Sequence, residues 1–321
     1  MSKVVQVAVA ILQKQNGEFL LASRPQGKGW AGWWEFPGGK IEIGEAPQHA
    51  LTRELQEELG VTPTDIQPWL TRRYDYPATH DAEAKTVLLH FFFVFAWQDE
   101  VSALEGQALA WQSPSHIDVS PILPANAPIM HALALPNLYA ISHVAEMGKA
   151  QFLVALAKAL DQGLQLIQIR EKHLNVDALS ALTHEVLALC APYGTKVMLS
   201  ADIDLASALG AHGVHLNSYA LMQLDRKPDD LIVGASCHHK AELNHAEQLG
   251  LDFAVLSPVL RTESHPDATP LGWETFAETI QNYHIPIYAL GGMQSQHLPL
   301  ALRCGARGIA MQRGAWQANE T

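Results

Sequence analysis

The 321 residues of the chain are about twice the commonest single-domain length, which fits either two domains or one large α/β barrel. Apolar residues make up 48% of the chain and charged residues 17%, a composition that provides for a packed core and excludes wholesale disorder. The formal net charge of -12 argues against an extended surface for nucleic acid or for an anionic membrane as the main function of the protein. Any phosphate group that the protein binds must therefore be held locally.

The cysteines and the apolar runs indicate the compartment. Cys190, Cys237 and Cys304 are far apart and odd in number, which fits a reducing compartment better than a disulfide framework or a zinc site. The longest apolar run, residues 88–97, is too short to cross a bilayer, and the N-terminal residues lack a small-residue cleavage site. We therefore expect a cytoplasmic protein that contacts neither membrane nor nucleic acid directly, and no feature specifies an oligomeric state.

Short elements separated by turn residues fill the first half of the chain. In chain order, the patterns predict a β-hairpin of strands 5–11 and 19–22 around a turn at 15–17, a Gly/Trp-rich loop at 27–39, an amphipathic helix at 47–59 and a strand pair near 67–76 and 86–97. The helix is predicted because apolar residues such as Leu51 and Leu55 recur at helical spacing, and Gly60 ends it. A proline-rich stretch follows, and the pattern changes near residues 132–136.

The second half alternates apolar runs with helical stretches. Eight candidate strands lie at residues 138–141, 164–169, 196–199, 213–216, 231–234, 253–256, 285–290 and 308–311. Strand-then-helix units of this kind point to a small (β/α)8 barrel of the TIM type, although an open doubly wound sheet has a similar periodicity. We favour the barrel, and we take 1–132 and 133–321 as the two domains of an α/β protein.

The sharpest functional signal is a group of carboxylates on the predicted helix. Glu54, Glu57 and Glu58 have i, i+3 and i+4 spacing, so they project from one face of the helix. Like charges so placed repel each other, and a hard divalent cation such as Mg²⁺ relieves that repulsion. An isolated pattern of this kind is more often a solvated acidic face, so the surrounding residues decide its meaning.

The surrounding residues form a longer pattern that begins at Gly39 and ends at Val61. They meet G-x5-E-x7-R-E-L-x-E-E-x-G-V at every defined position, and this pattern resembles the signature of the Nudix hydrolases. The resemblance implies an α/β/α sandwich with a mixed sheet, a Mg²⁺ or Mn²⁺ cofactor, and hydrolysis of a nucleoside diphosphate linked to a further group. It also implies that water attacks a phosphorus of the diphosphate while a glutamate removes the proton.

The same resemblance implies roles for individual residues. Glu54 would be the general base, Glu57 a second carboxylate of the catalytic group, and Arg53 the residue that orients the carboxylates through a salt bridge. The implied metal ligands are Glu54, Glu57, Glu58, Glu105 and the carbonyl of Gly38.

The similarity extends to the MutT branch of that family, whose members hydrolyse 8-oxo-dGTP to the monophosphate and pyrophosphate. The run 35–42 resembles this branch almost letter for letter, 105–107 resembles a segment that supplies a metal carboxylate, and 123–126 resembles one whose asparagine reads the purine. The implied substrate-binding residues are Arg24, Phe36, Lys40 and Asn126. Plainer interpretations exist, because an asparagine after Pro-Ala is usually a turn or a helix cap and a loop glutamate such as Glu105 is usually solvated.

The second half resembles the thiamine phosphate synthases and their TenI relatives. The matching segments are 168–172, 211–216, 234–238, 257–259 with Thr262 and Ser264, and 289–293. Each lies at or just past the carboxyl end of a predicted strand, where barrels place their chemistry. The resemblance implies binding of a phosphorylated, thiamine-related ligand, with two glycines contributing backbone N–H groups. The implied binding residues are Arg170, Lys172, Ser236, His238, Thr262, Gly291 and Gly292.

The second half also departs from that family. Ala201 and Ala220 stand where the synthases carry two aspartates that hold Mg²⁺, and Arg313 stands where they carry a phosphate-binding serine. Without those carboxylates, metal-assisted departure of pyrophosphate is not expected. His238 matches the acid/base histidine of TenI-type thiazole tautomerases, although a lone histidine after a strand is more often structural. The closing helix after the eighth strand is expected to be short or missing.

Three hypotheses follow from the two resemblances. In the first, a Nudix pyrophosphohydrolase removes oxidised guanine nucleotides and so serves DNA repair and replication fidelity, while the barrel has lost its synthase activity. In the second, a bifunctional enzyme of thiamine metabolism hydrolyses thiamine diphosphate analogues and retains synthase or tautomerase activity. In the third, which is compatible with the first, the barrel senses a ligand and regulates the hydrolase. Asn126 favours the first hypothesis over the second.

Overall fold

Two units make up the chain, one ending at Ala134 and the other beginning at Leu135. The computed structural model describes residues 4–76, 84–114, 116–262, 268–281 and 283–316, so Ser264 lies outside the described residues. Each unit has hydrophobic clusters of its own. No helix in the described ranges is long and apolar enough to cross a membrane.

The first unit contains two sheets and two helices in its described part. In chain order, its elements are β1 (Val5–Leu12), β2 (Phe19–Ser23), β3 (Trp34–Glu35), β4 (Gly38–Lys40), α1 (Pro47–Leu59), β5 (Thr62–Tyr76), β6 (Lys85–Gln98), β7 (Leu109–Gln112) and α2 (Ala127–Ala134). One sheet is mixed, with the order β4-β1-β6-β5 and a parallel pairing of β1 with β6. The other is antiparallel, with the order β3-β2-β7.

Alternation along β1 separates two layers of side chains. Ala8 and Ala10 pack in a cluster with α1, whereas Val9 and Ile11 belong to the cluster that includes α2. Because successive residues of a strand point to opposite faces, the two helices cover opposite sides of the sheet. The predicted α/β/α sandwich with a mixed sheet is therefore confirmed.

The predicted β-hairpin is wrong beyond its turn. Gln13 and Phe19 form a single antiparallel bridge, and the Lys14 N–H donates to the Glu18 carbonyl at 2.9 Å. Past that bridge, β1 pairs with β4 and β6, while β2 pairs with β3 and β7. The strand β1 is buried at its centre and lies inside the sheet, so it has no free edge for β2. The second predicted pair is confirmed, since β5 and β6 are antiparallel partners.

The second unit is a closed barrel of eight parallel strands. Its strands and helices are β8 (Leu138–Ile141), α3 (Val144–Met147), α4 (Lys149–Asp161), β9 (Leu166–Ile169), α5 (Val176–Cys190), β10 (Lys196–Ser200), α6 (Ile203–Ala208), β11 (Gly213–Leu216), α7 (Ser218–Met222), β12 (Ile232–Cys237), α8 (Lys240–Gln248), β13 (Phe253–Leu256), α9 (Gly272–Ile280), β14 (Ile287–Ala289), α10 (Leu298–Arg303) and β15 (Gly308–Met311). The predicted barrel is confirmed because β15 pairs with β8 and closes the ring, which an open sheet would not do. Past β15, the described residues form a single 3-10 turn, Arg313–Ala315.

Aromatic side chains fill the interior of the barrel. Tyr139, Phe253 and Tyr288 are fully buried, and their ring centroids lie 5.3, 5.4 and 5.9 Å apart. The helices pack outside the ring, where Phe152 and Leu156 of α4 are buried. The barrel is thus a packed core, and its chemistry is expected at the strand ends.

Helix α4 offers a matched test of this packing. Leu156 is fully buried, whereas Val154 on the same helix is 72% exposed. Leu156→Ala should lower the free energy of unfolding of the barrel by about 2–5 kcal/mol, because it removes buried methyl groups and leaves a cavity. Val154→Ala should change that free energy by less than about 0.5 kcal/mol. Urea denaturation of the full chain measures both values, and equal effects of the two substitutions would contradict the packing.

Candidate functional site

Helix α1 presents its carboxylates because its ends and its apolar face are fixed. Pro47 occupies the first turn, where its missing N–H leaves no bond unmade, and Gly60 adopts a left-handed φ of +71° that ends the helix. The leucines of the helix are buried against the sheet. Of the carboxylates beside this apolar face, Glu57 is exposed, whereas Glu54 and Glu58 lie toward β4.

Two glycines of β4 leave room for a carboxylate and for the neighbouring strand. A Cβ atom at Gly39 would lie 2.1 Å from the carboxyl carbon of Glu54, far inside normal contact distance. A Cβ atom at Gly38 would lie 2.2 Å from the carbonyl oxygen of Ala8, and Gly38 has a φ of +140°. Glu54 thus lies directly against the backbone of β4, which only glycine permits.

Arg53 links the carboxylates through several hydrogen bonds. Its guanidinium donates to Glu54 at 2.8 Å and to both carboxylate oxygens of Glu45 at 3.0 Å. It also donates to the Lys40 carbonyl at 3.0 Å and to Glu57 at 3.4 Å. Hydrogen bonding to Glu45 and Glu54 raises the pKa of Arg53 above its usual value. The arginine therefore ties α1 to β4 and to the loop that follows it.

The side chain of Glu58 points toward β4, and nearby positive charge does not offset the effect of its burial. Its carboxylate accepts a hydrogen bond from the Gly38 N–H at 3.1 Å. Burial raises the pKa of Glu58 to about 7 despite this bond, and the charges of Glu105 and Glu54 act in the same direction. A carboxylate in this condition gains from a nearby cation, because an opposite charge favours its ionised form.

The loop after β6 brings a further carboxylate to the end of α1. The Glu58 carbonyl accepts hydrogen bonds from the Leu104 N–H at 3.0 Å and from the Gln107 side chain at 2.8 Å, which satisfies an open carbonyl of the helix end. Gln107 also accepts from the Glu105 N–H at 2.9 Å. The carboxylate of Glu105 lies 2.5 Å from the ammonium of Lys28, so a cationic side chain already lies in this group.

The donor set fits a hard divalent cation by its chemistry, although the carboxylates do not converge. No group of three or more acidic, histidine or cysteine side chains within the described ranges is arranged to hold a metal ion. Each carboxylate has another partner: Glu54 has Arg53, Glu58 has the Gly38 N–H, and Glu105 has Lys28. Carboxylate and carbonyl oxygens are the ligands that Mg²⁺ prefers, so a bound cation would replace some of these partners.

Asn126 is buried, with 4% of its surface exposed. Its backbone carbonyl accepts hydrogen bonds from the N–H groups of Ile129 and Met130 at 2.9 and 3.2 Å, so it stands at the start of α2. Among the residues that the structure describes, none forms a hydrogen bond with its side-chain amide. Asn126 therefore lies at the start of a helix, as expected of a helix cap, but its side-chain amide forms no capping hydrogen bond.

The other residues of the predicted base pocket have protein partners of their own. Phe36 is a core residue, with its ring centroid 5.6 Å from that of Phe19 and 6.0 Å from that of Phe91. Arg24 donates to both carboxylate oxygens of Glu35 at 2.8 Å. Arg24 is therefore held near Phe36 by its contact with Glu35, the residue before Phe36.

A backbone link brings the segment of Asn126 beside that of Phe36. The Leu123 N–H donates to the Trp34 carbonyl at 2.9 Å, and Ala125 packs in the same cluster as Phe36. Lys40 is exposed at the end of β4. The structure thus brings Asn126, Phe36 and Arg24 to neighbouring segments and leaves Lys40 on the surface.

The second unit holds a cavity of about 650 Å³ at the carboxyl ends of its strands. Its wall includes all of the residues that the sequence predicts to bind the barrel ligand: Arg170, Lys172, Ser236, His238, Thr262, Gly291 and Gly292. Arg261 and Arg313 also line it, and none of the lining residues in the described ranges is acidic. A wall with four arginine and lysine side chains and no carboxylate favours an anionic ligand.

The structure describes the three positions at which the sequence is expected to depart from the synthases, Ala201, Ala220 and Arg313. Ala201 has a φ of +65°, in the left-handed region that aspartate and asparagine adopt more readily than alanine. Ala220 lies in α7, and its N–H donates to the capping side chain of Asn217 at 2.8 Å. Arg313 donates to Glu146 at 3.1 Å, and this bond lowers the pKa of Glu146 to about 2.

Two histidines line the cavity and differ in their hydrogen bonds. His238 Nδ1 lies 2.9 Å from the Ser257 carbonyl and 3.3 Å from the Ser257 hydroxyl. The carbonyl can only accept, so the shorter contact favours a proton on Nδ1. His215 Nδ1 lies 3.1 Å from the Tyr139 hydroxyl, and its Nε2 lies 2.9 Å from the Ser236 hydroxyl. Burial lowers the pKa of His215 to about 3, so this ring is neutral near pH 7.

Comparison with known proteins assigns each unit. The family described as thiamine monophosphate synthase matches residues 138–315, and the family described as NUDIX domain matches residues 3–133. A putative thiamine-phosphate synthase 2 of Aquifex aeolicus is 38% identical over 56% of this chain and 96% of its own length. The 8-oxo-dGTP diphosphatase of Escherichia coli is 37% identical over 41% of this chain and 97% of its own length. The CTP pyrophosphohydrolase of Escherichia coli is 38% identical over 40% and 91%.

The chain belongs to the Nudix family in its first unit and to the thiamine monophosphate synthase family in its second.

The sequence analysis assigns no role to several residues that complete the site of the Nudix domain. Glu45, a partner of Arg53, is a fixed acidic position of the Nudix box, and this position is a signal that could have identified it. Lys28 contacts Glu105 across 77 positions of the chain, and no spacing rule links the two. In the synthase-family barrel, Tyr139 lies within a strand and its sequence context indicates only a core residue.

Gly39→Ala tests the placement of Glu54 in the Nudix domain. The added methyl group must displace the Glu54 carboxylate, and a misplacement of about 1 Å typically lowers a rate by about 100-fold. We therefore expect a loss of about that size in initial hydrolysis rates. Gly29→Ala is the control, because nothing lies within 4 Å of a Cβ atom there. An unchanged rate in Gly39→Ala would argue against the placement.

Proposed function

We propose that the Nudix domain is a Mg²⁺- or Mn²⁺-dependent pyrophosphohydrolase that converts 8-oxo-dGTP to 8-oxo-dGMP and pyrophosphate in the cytoplasm. This reaction removes oxidised guanine nucleotides before DNA replication incorporates them, and it needs no contact with DNA. The observation that carries the proposal is the side-chain amide of Asn126, a residue with 4% of its surface exposed, which forms no hydrogen bond with the described part of the chain.

The Asn126 amide supports a base-reading role by its availability and by its chemistry. Asn126 is 4% exposed, and its amide forms no hydrogen bond with the described part of the chain, so the amide is available to a ligand. The amide donates through nitrogen and accepts through oxygen, as a purine edge requires. Guanine presents two acceptors at this edge, O6 and N7, and oxidation at C8 turns N7 into a donor. The donor and the acceptor of one amide can therefore both be paired only by the oxidised base.

The acidic group on α1 supports the hydrolytic chemistry. Glu54, hydrogen-bonded to Arg53 at 2.8 Å, takes the proton of the attacking water as general base. A divalent cation, when bound, neutralises the charge that develops on the phosphate oxygens. The residues that would hold it are Glu54, Glu57, Glu58, Glu105 and the carbonyl of Gly38. Lys40, exposed beside these groups, contacts the phosphates.

Sequence identity alone does not choose between a purine and a pyrimidine substrate. The Escherichia coli 8-oxo-dGTP diphosphatase and CTP pyrophosphohydrolase are 37% and 38% identical to this domain. The juxtaposition of the Asn126 amide with the segment of Phe36 supports the purine. The domain is therefore proposed to act on 8-oxo-dGTP in preference to CTP.

Release of phosphate or pyrophosphate by the full chain tests this substrate. Initial rates should be highest with 8-oxo-dGTP and lower with dGTP, CTP and thiamine diphosphate. Asn126→Ala should reduce the preference for 8-oxo-dGTP over dGTP in kcat/KM by about 10- to 100-fold, because it removes the group that distinguishes the two bases. Glu54→Gln, which keeps the shape of the side chain, should lower every enzymatic rate by at least about 100-fold and so exposes any contaminating phosphatase.

Two results would count against the substrate proposal. Equal kcat/KM for 8-oxo-dGTP and dGTP would remove the sanitising role, and faster turnover of CTP would transfer the proposal to a pyrimidine nucleotide. Faster turnover of thiamine diphosphate would instead favour the bifunctional enzyme of thiamine metabolism.

We propose further that the barrel binds a phosphorylated, thiamine-related ligand without a metal ion and has lost synthase activity. The cavity keeps Arg170, Lys172 and the glycine pair on its wall, and its described lining has no acidic side chain. The bifunctional alternative has support from His238, because the proton on Nδ1 leaves Nε2 as the basic nitrogen. Binding without catalysis would make the barrel a sensing module for the hydrolase.

Thiamine monophosphate is the probe that tests this barrel site. Isothermal titration of the full chain in EDTA should detect binding, since the cations of the wall replace a metal ion. Arg170→Ala should weaken binding by about 10- to 100-fold, because a hydrogen bond to a charged group contributes about 1.5–3 kcal/mol. Arg226→Ala is the matched control, since Arg226 is exposed and paired with Asp229 away from the cavity wall. A strict requirement for Mg²⁺ would contradict the metal-free site.

A further inference from the structure

Three hydrogen-bonded side chains connect the interior of the barrel with its cavity. Tyr139 on β8 is fully buried, and its hydroxyl lies 3.1 Å from Nδ1 of His215 on β11. Nε2 of His215 lies 2.9 Å from the hydroxyl of Ser236 on β12, and both of these residues line the cavity. This series of hydrogen bonds therefore begins at Tyr139, which is buried away from the cavity, and ends at Ser236, which a ligand in the cavity can contact.

The burial of Tyr139 decides the direction of these hydrogen bonds. Its ring packs against Phe253 and Tyr288, and the Tyr288 hydroxyl is committed to the Pro136 carbonyl at 2.5 Å. Within the described residues, His215 is the partner of the Tyr139 hydroxyl. If Tyr139 accepted a hydrogen bond from Nδ1–H, its own proton would be buried without an acceptor, which is costly. Tyr139 therefore donates to Nδ1.

The direction at Tyr139 fixes the remaining protons. A neutral imidazole carries one proton, so an Nδ1 that accepts requires the proton on Nε2. Nε2–H then donates to the Ser236 oxygen at 2.9 Å. The Ser236 proton is not used in that bond and is left for the cavity. The opposite direction, in which Ser236 donates to His215 as in a serine nucleophile and its base, is excluded by the same reasoning.

We propose that Tyr139 and His215 are positioning residues that hold the Ser236 hydroxyl as a hydrogen-bond donor to an anionic ligand. This inference rests on the proposed binding of a phosphorylated ligand by the barrel. A donor at Ser236 beside Arg170 and Lys172 matches phosphate oxygens, which only accept. It disfavours a ligand that presents an ammonium or another donor at the same place.

The tautomer of His215 is the first measurement. Long-range ¹H–¹⁵N correlation spectra of the full chain labelled with ¹⁵N-histidine separate the Nε2–H form from the Nδ1–H form, and His215→Gln identifies the signals of that ring. We expect the Nε2–H form in the wild type at pH 7. Tyr139→Phe removes the donor to Nδ1 and should produce a mixture of the two forms. Tyr288→Phe is the matched control, because it removes an equally buried hydroxyl that is not hydrogen-bonded to His215. His215 should keep its wild-type tautomer in this variant.

Affinity for thiamine monophosphate is the second measurement, by titration of the same proteins. Ser236→Ala and Tyr139→Phe should each weaken binding by about fivefold, as expected for one hydrogen bond, whereas Tyr288→Phe should not. An Nδ1–H tautomer in the wild type overturns the inference at any affinity, and so does an affinity in Tyr139→Phe equal to that of the wild type. If the wild type shows no binding, the ligand proposed for the barrel is wrong, and the tautomer alone decides whether Tyr139 positions His215.

Discussion

Repulsion among carboxylates at one end of α1 is the constraint on which the Nudix site depends. Each carboxylate is held by a different donor: Glu54 by Arg53, Glu58 by the Gly38 N–H, and Glu105 by Lys28. These donors belong to a helix, a strand and a loop, so the acidic group assembles only when all three elements are in place. The donors compensate only part of the charge, because burial and its neighbours still raise the pKa of Glu58 to about 7. Glu58 therefore remains a carboxylate whose ionised form an opposite charge would favour.

The barrel has the opposite electrostatic arrangement. Basic side chains on different strand ends surround one cavity whose described lining has no acidic partner for them. Arg313 is paired with Glu146, which lies outside that lining. Like charges gathered in this way are stabilised by an anion, just as the carboxylates of α1 are stabilised by a cation. The residual charge thus favours a cation at the carboxylates of the Nudix domain and an anion in the cavity of the barrel.

The sequence predicts elements and motifs better than it predicts contacts. The barrel strands follow from periodicity, and their pairing follows too, because each strand of the barrel pairs with its neighbour in the ring. The hairpin fails because β1 takes β4 and β6 as partners, a choice made by tertiary packing that no local turn signal contains. The same distinction applies at the sites. Box spacing places Glu54 and Glu58, whereas the contacts Lys28–Glu105 and Tyr139–His215 span 77 and 76 positions and have no local pattern.

Ala201 keeps a backbone conformation that suits another residue type better. Its φ of +65° strains an alanine, whereas aspartate, which the resemblance to the synthases implies at this place, adopts that conformation more readily. The conformation persists because the Ala201 N–H donates to the His215 carbonyl at 2.8 Å, which joins the end of β10 to β11. His215 also lies 2.9 Å, through Nε2, from the Ser236 hydroxyl on the neighbouring strand, and both residues line the cavity. The backbone beside the cavity wall is therefore held by a main-chain hydrogen bond that does not depend on the side chain at position 201.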